Sequence, residues 1–391
     1  MSGYRRADVI VIGLGAMGSA ACFQLATRGA SVIGIDQYEP PHAYGSTHGD
    51  TRMTRLAVGE GPEYVPLVRR SHELWREIEG LAGVPLLTQP GGLVLGDAAN
   101  PFLSQTRALA RRYGIAHETL SPAAVAERFP MFAADETTEG YFELGSGYLR
   151  PERAVHAQLT LARRHGATVR LRERVERWTA SAAGVRVCTD AQVYEADQLV
   201  ICAGPWINEL FPEGRAVFAV HRQLLSWFPI LKGYDQLRDM PVFVWEFGGD
   251  RNGIEHLLGF YGFPAIDGRD GGVKVATEVY GQTTTPDGRQ HPASPSESNE
   301  MYRQYIASRL PWLGPGPVRT VSCLYTSTYG SRFVIDRHPD HDAVLIVSPC
   351  SGHGFKHSPA IGEAIAQWVI GGVSEIDLAP FGLSRAVRRP N

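Results

Sequence analysis

The chain lacks the marks of several large protein classes. Its 391 residues include five cysteines, Cys22, Cys188, Cys202, Cys323 and Cys350, an odd number with no close pair. That pattern is not a disulfide framework, and it fits a reducing cytoplasm. Neither C-x-x-C nor H-E-x-x-H occurs, so no dedicated metal site is expected. The net charge of −3 leaves no basic excess for nucleic acid. No run approaches the roughly 20 apolar residues that span a bilayer, so no membrane partner is expected. Arg5-Arg6 ahead of an apolar stretch invites comparison with an export leader, but the stretch is short and broken by glycine. Internal repeats and low-complexity tracts are also missing. What remains is a globular chain, 43% hydrophobic, long enough for two or three domains or for two that interleave.

The strongest positive signal lies near the start. Val9 to Gly13 reads as a short apolar strand, and Gly13, Gly15 and Gly18 form G-x-G-x-x-G. A helical stretch follows from Ala16 to Arg28, and a second strand from Ser31 ends at Asp36. Strand, glycine turn, helix, strand and acid together are the signature of a dinucleotide site. Gly13 permits the tight turn, Gly15 lets backbone approach a pyrophosphate, and Gly18 lets helix and strand pack closely. The helix N-terminus offers N–H groups to phosphate. Asp36 is placed to accept from a ribose hydroxyl.

Further along, 62–79 reads as an amphipathic helix with Val65, Val68, Leu74, Trp75 and Ile78 inward. Helices are also expected over 100–113, 121–129, 151–165, 294–310 and 358–370. Small strands are expected at 168–171, 184–188 and 192–195, and a separate buried strand from Gln198 ends in Ala203-Gly204. Short aromatic runs at 224–228, 241–247, 256–263 and 272–279 suggest an antiparallel sheet, and strands follow at 320–328, 333–336 and 343–347. The expected class is α/β, α+β overall, with a Rossmann-like domain interleaved with an antiparallel-sheet substrate domain. The boundaries are 1–84, 148–217 and 323–391 for the first, and 85–147 and 218–322 for the second.

Several motifs occur in a specific order: the Gly13–Gly18 fingerprint, His48-Gly-Asp-Thr-Arg-Met-Thr-Arg, Glu60-Gly-Pro-Glu-Tyr-Val-Pro-Leu, Tyr261-Gly-Phe-Pro, Gly272-Val-Lys, Cys323-Leu-Tyr-Thr, Phe333-Val-Ile-Asp-Arg-His-Pro and Ser351-Gly-His-Gly-Phe-Lys. In these the chain resembles the monomeric sarcosine oxidase and N-methyl-tryptophan oxidase family, within the D-amino-acid-oxidase-like flavoproteins. The resemblance implies FAD, held through an 8α-S-cysteinyl bond at Cys323. It implies oxidation of a secondary or cyclic amino acid to an imine, which water hydrolyses, while dioxygen becomes hydrogen peroxide. It also suggests a monomer.

Residue by residue, the resemblance puts Lys274, Arg52, Tyr325 and His353 in catalytic roles, Lys274 as the group that activates oxygen. It assigns Arg55 and Lys356 to the substrate carboxylate and Tyr261 to the substrate cavity. Two arginine N–H groups in parallel suit a carboxylate. Cofactor contacts are implied for Gly13, Gly15, Met17, Gly18, Asp36, Ser46, Thr51, Arg52, Val175, Ala203, Gly204, Trp206, Cys323, Gly352, Gly354, Phe355 and Lys356. Asp336 and His338 read as structural. Two departures bear on the substrate. Glu278 stands where relatives carry histidine, and the loop before Lys274 is two residues longer. A larger, cyclic or amine-bearing amino acid is therefore considered beside sarcosine. Two other readings stay open: a dehydrogenase of the same fold that uses a different electron acceptor, and a non-catalytic flavin-binding sensor.

Overall fold

The computed structural model describes residues 5–247, 259–288 and 293–387. The chain alternates between two large sheets. It opens on the first with β1 (Arg5–Ile12) and β2 (Val32–Asp36), then passes through a small sheet with β3 (Arg52–Thr54) and β4 (Leu87–Thr88). The second sheet begins with β5 (Gly92–Gly96), β6 (Glu118–Leu120) and β7 (Glu139–Glu143). After β8 (Gly147–Leu149) completes the small sheet, β9 (Thr168–Leu171), β10 (Val175–Ser181), β11 (Gly184–Thr189) and β12 (Val193–Ile201) return to the first. The next excursion supplies the second sheet with β13 (Ala219–Phe228), β14 (Val242–Glu246), β15 (Gly259–Gly262), β16 (Val273–Thr277), β17 (Thr283–Thr284) and β18 (Arg319–Ser327). Finally β19 (Val334–His338) and β20 (His341–Ser348) close the first sheet.

In the first sheet β1 runs parallel to β2 and β12, β2 to β9, and β12 to β20. Such a sheet needs cover on both faces, and Val9 to Ile12 are accordingly buried. The first half of the chain contributes the helices α1 (Ala16–Thr27), α2 (Tyr64–Ala82), α3 (Pro101–Arg112), α4 (Pro122–Arg128) and α5 (Pro151–Arg164). α1 packs on α5 and on the C-terminal helix Ser358–Gly371. α2 buries all five apolar positions expected of it. Asn100 caps α3 by accepting from Leu103 N, and Ser121 caps α4 by accepting from Ala124 N.

Four expectations need correction. The strands expected at 192–195 and from Gln198 are one strand, β12, which changes neighbour midway. Its first half pairs with β11 and its second with β20, so exposure alternates in the first part and vanishes in the second. The second sheet is antiparallel except at β5 and β14, the seam where two distant segments of chain meet in parallel. The helix from Ser294 is α-helical only to Met301 and then widens into a π turn over Tyr302–Ile306. That turn lets Met301 and Ile306, five residues apart, share one buried face. The boundary at 323 would cut β18, which pairs with β13 along its whole length from Trp227↔Arg319 to Ala219↔Ser327. Cys323 and Tyr325 therefore belong to the second sheet. Of the strand expected at 256–263, residues 256–258 lie outside the described residues.

Candidate active site

A groove of about 1320 Å³, open to solvent, runs along the ends of β1, β2 and β12. Its floor is the glycine turn. Gly13 has φ +84°, and a Cβ there would lie 2.4 Å from the Cys202 carbonyl oxygen. A Cβ on Gly18 would lie 1.8 Å from the Gly13 oxygen, so helix α1 can reach β1 only with glycine at that point. Gly15 differs, because a Cβ there meets nothing closer than Thr47 Oγ1 at 3.5 Å. The protein's own packing does not require glycine at 15, whereas a ligand lying on the backbone would. Gly15 is also the N-cap of α1, which has no side-chain cap and no acid in its first turn. Its N–H groups suit a phosphate. These features fit FAD. Asp36 lines the same groove and is already engaged, accepting from Leu14 N at 2.7 Å and Tyr38 N at 2.8 Å. Burial pushes its pKa up, and those two bonds with His42 oppose the rise.

A second cavity, about 2310 Å³ with its open mouth, adjoins the groove, and both have Arg52, Gly352 and Phe355 in their walls. The second sheet supplies one side of this region through its register. Cross-strand partners share a face, and side chains alternate along each strand. Val244, Tyr261, Ala276 and Leu225 stand in one row, Lys274 faces Trp227, Gln223 faces Cys323 and His221 faces Tyr325. One face thus carries Tyr261, Lys274, Cys323 and Tyr325, residues up to 64 positions apart in sequence.

Two cations from outside that sheet, Arg55 and Lys356, also line the cavity. Arg55 Nη2 donates to Glu60 Oε1 at 2.6 Å, and its guanidinium lies 4.7 Å from the centre of the Phe102 ring. Arg55 Nη1 is buried and finds no acceptor among the described residues. A buried N–H left unsatisfied is costly, so this one is arranged for an acceptor from outside. Lys356 lines the same cavity, and its Nζ donates to His353 O at 2.7 Å. Burial pulls its pKa down to about 8, against the pull of Glu60. His353, pulled down to about 4 mainly by burial, is neutral at physiological pH. Tyr261 and Tyr325 share a hydrogen bond of 3.0 Å between their hydroxyls, and burial drives both phenols upward.

Most of the expected site residues converge. Arg55, Lys356, Tyr261, Glu278 and His353 all line the second cavity. Met17, Ser46, Val175, Ala203, Gly204, Trp206 and Gly354 line the groove. Others stand behind the walls. Gly18 serves the packing of α1. Thr51 is turned toward Lys274, accepting from its Nζ through both O (3.0 Å) and Oγ1 (3.1 Å). Cys323 is buried, its thiol 3.6 Å from Ser46 O and 3.5 Å from Arg52 Nη2, just behind two groove residues. Lys274 also lies outside the walls of both cavities, wholly enclosed beside Arg52. Sequence reasoning gave no role to Glu60, Phe102 or Tyr280. Glu60 was within reach as an acid five residues from Arg55. Tyr280 donates to Glu278 Oε2 at 3.2 Å, and strand spacing of two would have found it. Phe102 arrives on α3 with no local signal. Among the described residues, no group of three His, Cys, Asp or Glu side chains could hold a metal ion. No helix among them is long and apolar enough to cross a membrane.

Comparison with known proteins agrees with this geometry. Residues 8–368 match the family model described as FAD dependent oxidoreductase, and the chain belongs to that family. It is 36% identical over 386 residues to a monomeric sarcosine oxidase of Streptomyces avermitilis, covering 98% of each chain. It is 33% identical over 380 residues to an N-methyl-L-tryptophan oxidase of Salmonella dublin, covering 97% of this chain and 98% of the relative. Among solved structures, NikD, an amino acid oxidase essential for nikkomycin biosynthesis, aligns over 97% of both chains with TM-score 0.83 and 23% identity. That likeness establishes a shared fold.

Proposed function

We propose that the protein is an FAD-dependent oxidase of secondary amino acids, N-methyl or cyclic, that reduces dioxygen to hydrogen peroxide. The observation that carries this reading is the pair of buried cations, Arg55 and Lys356, on the wall of a cavity that joins the cofactor groove at Arg52, Gly352 and Phe355. Bound FAD would supply a two-electron acceptor that dioxygen can regenerate. The chain's own residues do the rest. Arg55 and Lys356 hold the carboxylate and so fix the α-carbon at the junction of the two cavities, which removes entropy from the barrier. Tyr261 and Tyr325 border the reacting end. The substrate nitrogen must be unprotonated to lose electrons, so the rate rises with pH as the amine deprotonates. Lys274 places a positive charge behind Arg52, where it favours an anion formed as oxygen takes up its first electron. Cys323 is the thiol proposed to hold the flavin covalently, and its sulfur lies 3.5 Å from Arg52 Nη2, a residue of the groove wall. Five unpaired cysteines suit the cytoplasm, and the reading takes the enzyme as a monomer.

The test is peroxide formation with sarcosine, N-methyl-tryptophan, proline, pipecolate, D-alanine and N-methyl amines bearing a second cationic group. Peroxide from an N-methyl or cyclic amino acid is the expected result. Fast dye reduction without peroxide would turn the assignment to a dehydrogenase. A flavin spectrum that shifts on ligand addition but never bleaches would turn it to a sensor. In the same preparation, acid precipitation should leave a yellow pellet, and free FAD in the supernatant would sink the covalent link.

A further inference from the structure

The chain has only three lysines, Lys232, Lys274 and Lys356, against 35 arginines. Lys274 is the one enclosed most completely, and what surrounds its ammonium is a built socket. Nζ donates to Gly49 O at 2.6 Å, Thr51 O at 3.0 Å and Thr51 Oγ1 at 3.1 Å. Three acceptors match the three N–H bonds of an ammonium, one more than a neutral amine can offer. The faces of Phe263 and Trp227 stand 4.7 and 5.5 Å away and also favour a cation.

The socket is a turn with an unusual backbone. Gly49 has φ +94° and Asp50 φ +68°, the second a conformation that non-glycine residues rarely adopt. A Cβ on Gly49 would meet Leu225 Cδ1 at 2.5 Å, so the turn presses against the second sheet. From the other side it is held by Glu152, in the first turn of α5. Glu152 Oε1 accepts from Gly49 N at 2.6 Å and Asp50 N at 3.1 Å. The Gly49 carbonyl and the Asp50 N–H are the two ends of one peptide group. A carboxylate on its N–H and an ammonium on its carbonyl polarise that group in the same sense, and each bond strengthens the other.

We infer that Glu152 is a positioning residue that keeps Lys274 charged, acting through the Gly49–Asp50 peptide as an ion pair with one amide between the partners. Burial, and next the nearby Arg52, drive the lysine strongly toward losing its proton, while Cys323, Asp50 and Glu152 act in the opposite direction. Asp50 is partly spent on Arg319, with which it forms an ion pair, and Arg319 in turn lies over Trp227. Glu152 also attracts the Arg52 guanidinium, and both of its bonds to the turn are accepted by one oxygen, Oε1. The inference draws its functional interest from the proposed role of Lys274 in the oxygen step, but the coupling can be measured apart from that role.

Having three lysines makes the measurement direct. The holoenzyme labelled with ¹³C at lysine Cε gives three resonances, and Lys274→Met identifies one of them. In the wild type the Lys274 signal should be that of an ammonium at pH 7.5. In Glu152→Gln, which retains an acceptor oxygen but not the charge, the titration midpoint should fall by about one pH unit or more, a tenfold change in the protonation equilibrium. Glu152→Asp should restore part of the shift. An uncharged Lys274 in the wild type, or an unmoved midpoint in folded Glu152→Gln, would overturn the inference. A moved midpoint with an unchanged pH profile for flavin reoxidation by oxygen would uphold the coupling and remove the oxygen role of Lys274.

Discussion

The cofactor groove and the substrate cavity meet at Arg52, Gly352 and Phe355, yet they are made of different material. The floor of the groove is main chain and small residues: Gly13, Gly15, Ala203, Gly204 and the free N-terminus of α1. The cavity is marked by long side chains, cations, carboxylates and several phenols, brought in from the second sheet, from β3 of the small sheet, from loops and from α3. A surface of backbone can be shaped by a few consecutive residues. A surface of opposed charges needs partners on separate elements, because each buried charge must be paired or satisfied.

Substitutions on the two sides probe that difference, and one in the groove should have the largest effect. Gly18→Ala puts a methyl 1.8 Å from the Gly13 oxygen. It should cost on the order of 3–5 kcal/mol and depress the melting temperature by many degrees. If its melting temperature matches the wild type, the close approach of helix and strand is not what glycine serves there. On the cavity side, Arg55→Ala should raise KM about 100-fold, about 2.7 kcal/mol, with a much smaller change in kcat. Initial rates of peroxide formation against substrate concentration decide this, and an unchanged KM would detach Arg55 from the carboxylate.

The pH dependence is a smaller and more specific probe. Lys356 has its pKa lowered to about 8 by burial, so it is a cation below that pH and loses its charge above it. Grip on the carboxylate should therefore weaken as pH rises through about 8, and kcat/KM should fall on that limb while amine deprotonation raises it on the acid side. Lys356→Arg keeps its charge and should abolish the alkaline limb. If the limb persists in that variant, it belongs to another group. The smallest effect is expected at Gly15→Ala. Flavin-free protein should melt within about 1 kcal/mol of the wild type, since the methyl meets no protein atom closer than 3.5 Å, while FAD binding weakens severalfold or more. Equal damage to both properties would show that Gly15 serves the fold itself.

The groove was legible in advance because its logic is local. A tight turn, a close helix and a free helix terminus all follow from glycines at 13, 15 and 18 and an acid at 36. The interleaved path was also readable, since strand and helix signals come in blocks along the chain. Other features were not readable. No local pattern shows that β12 changes neighbour halfway, that β14 runs parallel to β5, or that β18 sides with the second sheet. Those are decided by which distant strand offers a free edge.

The sequence by itself determined the nucleotide turn, the amphipathic helices and the residue types able to hold a carboxylate. Only the tertiary structure decided that Arg55 is braced by Glu60 and Phe102, that Cys323 and Lys274 stand behind the walls, and that Glu152 grips the turn under Lys274. The reason is physical. Backbone conformation is set by neighbours in sequence, whereas the charge and reach of a buried side chain are set by whatever the register of a sheet and the packing of a remote helix place against it.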